Sequence, residues 1–122
     1  MNKREIKFRV WDKIMEDIAP LVELHSDWVA IPIMDEEGGH LEKRKIEDVE
    51  LMQFTGLKDK NGKEIYEGDI LRKYGQETEE LTGEATGVVE DITNIEFIKD
   101  CIIAGIPIEV IGNIYQNKDL IN

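Results

Sequence analysis

The side chains that could do chemistry in this chain are clustered carboxylates, two histidines and one cysteine. Glu77, Glu79, Glu80 and Glu84 crowd into residues 75–86, where paired carboxylates could act as acid and base or hold a cation. That work needs a desolvated pocket to separate their pKa values. The stretch is instead polar and glycine-punctuated, and reads as a long mobile loop with a solvated charge run. Cys101 has no activating partner identifiable in the sequence, and inert burial is expected of it. His25 and His40 lack a third ligand at useful spacing, so no zinc site is expected. Asp59-Lys60-Asn61-Gly62 opens like a calcium loop, but the fifth position is Lys63 and the sixth Glu64. An EF-hand requires an oxygen ligand and then glycine there, and an ammonium group cannot coordinate a cation. What remains is recognition. Arg9 and Trp11 share the outward face of a strand and could meet an acidic neighbour; the competing reading has Trp11 capping a small core and Arg9 pairing across the sheet. The candidate partner-binding residues are therefore Arg9, Trp11, Glu77, Glu79, Glu80 and Glu84, with no catalytic, metal or cofactor-binding residue expected.

The elements that must position these groups are mostly strands. In residues 5–11, Ile6, Phe8 and Val10 alternate with Lys7, Arg9 and Trp11, and Asp12-Lys13 reads as a turn. Residues 18–24 and 28–34 read as edge strands, because Pro20 and Pro32 cannot donate to a central ladder. Residues 35–40 form an exposed turn, and the mixed-charge residues 42–49 suit a short helical turn. Residues 51–70 then read as strand, hairpin, short strand, tight turn and the start of a third strand. The hairpin is marked by Asp59 and Asn61-Gly62, the second turn by Gly68-Asp69. The Gly-Asp turn feeding an apolar strand also looks like the opening of a small SH3-like barrel. A strand resumes at residues 87–90. One helix is expected within residues 91–105, with a Thr93-x-x-Glu96 capping box, Ile95, Ile98 and Ile102 on one face, and Gly105 and Pro107 as the stop. Residues 108–115 make a last strand, with Gly112 at a bulge or close approach, followed by a turn and one terminal helical turn.

At 122 residues and 41% hydrophobic, the chain suits one domain with a single modest core, which could divide into two lobes, residues 1–50 and 51–122. The apolar runs are too short to cross a bilayer, and the lone cysteine fits a reducing cytoplasm. The net charge of −12 is uneven: residues 1–13 carry +3, 14–50 carry −8, 51–73 carry +1, 74–100 carry −7 and 101–122 carry −1. Two acidic blocks repel phosphate backbones, so nucleic acid is not an expected partner and a basic protein surface is.

Three segments carry a family resemblance. Residues 4–12 (Arg-Glu-Ile-Lys-Phe-Arg-Val-Trp-Asp), the central stretch 51–70, and residues 110–121, including Ile111-Gly112-Asn113-Ile114-Tyr115, resemble the YopX family of phage and prophage proteins. They cover about a third of the chain, in the family's order; between Ile14 and Glu50 the resemblance fades. At Lys118 this chain departs from the proline the family usually has, which bears on the rigidity of the terminal turn. The resemblance implies a mainly β fold, an antiparallel sheet plus an SH3-like small barrel, and a phage-related setting in a bacterial cytoplasm. It implies no catalytic residues and no cofactor. The expected function is a non-enzymatic interaction module whose partner is a host or phage protein, with a second copy of the chain also open as a partner. An acidic decoy of a nucleic-acid-binding protein and a small carboxylate-dependent hydrolase are the alternatives.

Overall fold

Strict alternation buries Val10 and Asp12 on one face of β1 (Phe8–Asp12) and leaves Arg9 and Trp11 on the other. The computed structural model describes residues 6–74, 85–90 and 95–121. The chain divides into two compact units, Lys7–Met52 and Met1–Ile6 with Gln53–Asn122.

In the first unit β1 pairs antiparallel with β2 (Asp17–Pro20), matching Arg9 with Pro20 and Asp12 with Asp17. Pro20 therefore lies on an outer strand, as its missing N–H requires. The run read as one strand over residues 18–24 is broken: β3 (Glu23–Leu24) belongs to a second sheet, of order β3-β4-β5, with β4 (Trp28–Asp35) and β5 (Gly38–Lys45). The expectation that Pro32 puts its strand at an edge needs correction, since β4 is the central strand. Pro32 is tolerated because β3 pairs only with Val29 and Ala30, so beyond Ile31 that side of β4 has no ladder partner among the described residues. Val22 N–H donates to Ala30 O, so Ala30 turns its backbone toward β3, and Pro32, two residues on, turns the same way. Its lost N–H costs no ladder bond. A second correction concerns residues 42–49. Glu42 and Arg44 are less exposed than Leu41 and Lys43, a period of two, and eight-residue pairing with β4 extends β5 to Lys45. Only Ile46–Asp48 forms a helical turn, of the 3-10 kind. Val10, Ala19, Val29, Ile31 and Val49 form this unit's core.

β6 (Val49–Lys58) continues through the boundary between the units. It neighbours β1 in the sheet of order β2-β1-β6-β7, and its last part pairs with β7 (Glu64–Tyr66). The hairpin falls where Asp59 and Asn61-Gly62 place it, with Gly62 at φ +80. After the turn at Glu67-Gly68, β8 (Asp69–Lys73) runs between β9 (Ala85–Val88) and β10 (Ile108–Asn113). The register of β10 on β8 shifts between Val110 and Gly112, the expected bulge. A 3-10 turn, Lys118–Ile121, ends the described chain.

The helix α1 (Glu96–Ala104) stops at Gly105, in the left-handed conformation at φ +73. Ile95 occupies its N-terminal cap; Thr93, proposed for that role, lies outside the described residues. Its inward face also differs from expectation. Ile95, Ile98 and Cys101 are buried, whereas Ile102 is 44% exposed, because the stripe follows a spacing of three. Cys101 is thus buried, as expected. With Ile65, Leu71, Val89 and Ile108 these residues make the second unit's core. The protein is mainly β and antiparallel, with one α-helix; its described strands form three open sheets, and a closed SH3-like ring is not among their pairings.

Candidate functional site

Two buried aspartates, one in each unit, hold backbone and side-chain donors, and they do different work. Asp59, 7% exposed, accepts at Oδ1 from the N–H groups of Asn61 (2.8 Å) and Lys63 (2.9 Å), which closes the hairpin turn. Its Oδ2 accepts from Val110 N–H at 2.9 Å, tying the turn to β10. Burial pushes its pKa up, but these three amides outweigh that and hold it below the ordinary carboxylate value. Next to it, Glu109 accepts from Tyr74 Oη at 2.7 Å and Asn61 Nδ2 at 3.1 Å, and those two hydrogen bonds hold its carboxyl low. The contacts of this cluster tie the turn to β10 and to Tyr74.

Asp12 is different. It follows Phe8 and Val10 in the inward register of β1, so an acid stands where the alternation calls for an apolar residue. Its side chain is 2% exposed and pairs with Arg44 of β5, 9% exposed, through a 3.1 Å bond from Nε to Oδ1. Ile14 N–H also donates to Oδ1, at 3.0 Å. Arg44 is further held by Lys43 O at 3.2 Å and Glu42 Oε2 at 3.5 Å. Asp12 Oδ2 is buried and receives no hydrogen bond. Such an orphaned acceptor costs about 1–3 kcal/mol, more when charged.

That aspartate lines a groove of about 380 Å³ in the first unit, together with Met15, Asp17, Ala19, Pro20, Pro32 and Met34. The groove borders β4 along the stretch that lacks a ladder partner, with β2 on its other side. Met15 and Met34 are 57% and 78% exposed, unusual for such large apolar side chains. Gly39, opposite Met34, leaves room for the thioether: a Cβ there would stand 2.7 Å from Met34 Sδ. The adjoining turns carry exposed Glu16, Glu36 and Glu37. An apolar trough with a buried carboxylate can hold a chain by area and orient it by one polar contact.

The residues singled out from the sequence fare differently. Arg9 and Trp11 are half-buried on β1, and each has a partner within the chain. Glu77, Glu79, Glu80 and Glu84 lie outside the described residues. His25 stacks on Trp28 at 3.7 Å, with Lys43 Nζ over the indole at 4.5 Å. His40 bridges Asp35 (Nδ1 to Oδ2, 3.2 Å) and Glu42 (Nε2 to Oε1, 2.7 Å) across the β4–β5 hairpin. The Glu42 contact, helped by Asp35, raises its pKa. Among the described residues no group of three or more His, Cys, Asp or Glu is arranged to hold a metal ion. A smaller cavity of about 220 Å³ in the second unit is lined by Leu71, Phe97, Cys101 and Ile108 among others, with no carboxylate or histidine. Sequence reasoning passed over Asp12 and Arg44 because Asp12-Lys13 reads as a turn. The signal that marks Asp12 is its shared parity with Phe8 and Val10. No helix among the described residues is long and apolar enough to cross a membrane.

Comparison with known proteins agrees with the three matched segments. No curated protein matches the chain. The crystal structure of protein EF1440 from Enterococcus faecalis superposes with a TM-score of 0.60 at 22% identity, covering 98% of this chain and 100% of that one, and shares its fold. The family model for YopX protein matches residues 7–122. With its N-terminal, central and closing motifs in order, and a family match over nearly its whole length, this chain belongs to the YopX family.

Proposed function

We propose that this protein is a non-enzymatic interaction module of phage–host biology whose partner presents a basic protein surface. The observation that carries the reading is the acidic-flanked groove: exposed Met15 and Met34 beside a strand edge, in a unit of residues 7–52 with six basic and twelve acidic side chains. Exposed methionines adapt their shape to a partner, and a negative field speeds the encounter with a positive one. The polar contacts of Asp59 and Glu109 serve a turn and a strand tie, as a binding scaffold requires.

The test is capture of a partner from bacterial lysate on the immobilised protein, followed by kinetics across a range of salt concentrations. Electrostatic attraction is screened over about 8 Å at physiological ionic strength, so association slows steeply with salt while dissociation changes less. Salt-independent association would remove the electrostatic part of the reading. Turnover of a phosphoester, peptide or glycoside that one point mutation abolishes would overturn it entirely.

A further inference from the structure

The geometry points to a specific occupant for the groove: we propose that it takes the side chain of an arginine or lysine presented by an extended segment of the basic partner. This deepens the interaction reading and rests on it. The first ground is the orphaned Oδ2 of Asp12, an acceptor inside a side chain that is 2% exposed and lines the groove. A purely apolar occupant leaves that oxygen unmet, and an anionic one is repelled by it. A long cationic side chain satisfies it while laying its methylene stem on Ala19, Pro20 and Pro32, the arrangement by which such residues cover apolar surface and deliver charge at the tip.

The second ground is charge. Arg44 holds Oδ1, so the incoming cation would face a like charge across one carboxylate. Glu42, 3.5 Å from Arg44 Nη1, and Asp17 in the groove lining offset that repulsion, and the unit as a whole is acidic. The third ground is access. Met15 and Met34 are exposed and unbranched, so both can rotate to admit and then cover a chain. Residues of β2 and of β4 form the walls of the groove, and beyond Ile31 β4 has no ladder partner on its β3 side among the described residues, so the segment carrying the cation can cross the groove mouth in extended form.

The experiment uses the whole protein with methyl-labelled methionine and a set of capped eight-residue peptides of glycine and serine. The peptides carry one central arginine, citrulline or norleucine. The arginine peptide is expected to shift the Met15 and Met34 methyl signals and leave Met52, 1% exposed in the interior, unmoved. Citrulline is expected to bind at least ten-fold more weakly, and norleucine more weakly still. In Asp12→Asn the arginine preference over citrulline should vanish; if that variant does not fold, the wild-type peptide series decides alone. Equal binding of arginine and norleucine, or shifts that spare Met15 and Met34, would overturn the assignment. If the captured partner still associates in a salt-dependent way after such a result, the interaction reading stands and only the groove's occupant is wrong. If the arginine peptide binds as expected but partner association ignores salt, the electrostatic reading fails while the groove assignment stands.

Discussion

Replacing Asp59 with asparagine would separate two jobs held by one carboxylate. The amide oxygen can still accept from Asn61 and Lys63, but the new NH2 cannot accept from Val110 N–H. Asp59→Asn should therefore cost about 1–3 kcal/mol in urea denaturation, and Asp59→Ala more, since it removes the turn bonds as well. The pH dependence has a definite sign. Because the folded pKa of Asp59 lies below its ordinary 3.8, its contribution is present above that value and lost as pH falls through the depressed one. Asp59→Asn should flatten the acid limb of the stability curve. His40 has the opposite sign: its raised pKa means a contribution complete below 6.5 and lost as pH rises through the folded value. Glu42→Gln should bring the His40 titration midpoint, followed by NMR, down toward 6.5. The turn role of Asp59 was legible because its partners lie within four residues. The bond to Val110 spans 51 positions and leaves no local trace.

At the level of elements, the C-terminal bulge offers a sharper test than any helix. Gly112 sits where a Cβ would come within 2.6 Å of Asn117 Cγ, and Asn117 Oδ1 accepts from Asn113 N–H at 3.1 Å. Gly112→Ala must push that amide aside and lose its bond, a cost of about 1–2 kcal/mol. In an Asn117→Ala background the obstruction is gone, so Gly112→Ala should cost clearly less, and a double-mutant cycle by thermal denaturation measures the difference. Additive costs would mean that the two side chains do not meet. Strands were the elements best legible in advance, because alternation and turn residues such as Asn61-Gly62 act locally. Three misreadings share a tertiary cause. Pro32 is harmless only because β3 is two residues long, residues 42–45 are strand only because β4 lies opposite, and Ile102 yields the core to Cys101 because of where α1 docks. Periodicity cannot report any of these.

For the whole molecule, the net charge of −12 is readable without a structure, and its consequence is kinetic. Changing Glu77, Glu79, Glu80 and Glu84 to glutamine should slow association with a basic partner at low salt and make little difference at high salt, as read by stopped-flow or surface-binding kinetics. An equal effect at both would point to contact in place of steering. The fold class was legible from turn chemistry and from the family's three motifs. The groove was not, because it joins Asp12, Met15 and Met34 through the packing of β1, β2 and β4, which no spacing in the sequence encodes. The passage from one unit to the other at Met52, within β6, has an optical consequence. Both tryptophans, Trp11 and Trp28, fall in Lys7–Met52, and all three tyrosines, Tyr66, Tyr74 and Tyr115, fall after it. Emission excited at the red edge of the absorption band, where only indole absorbs, therefore reports the first unit alone. Phenol absorbance reports the second, and the protein carries a separate native probe for each half without any label.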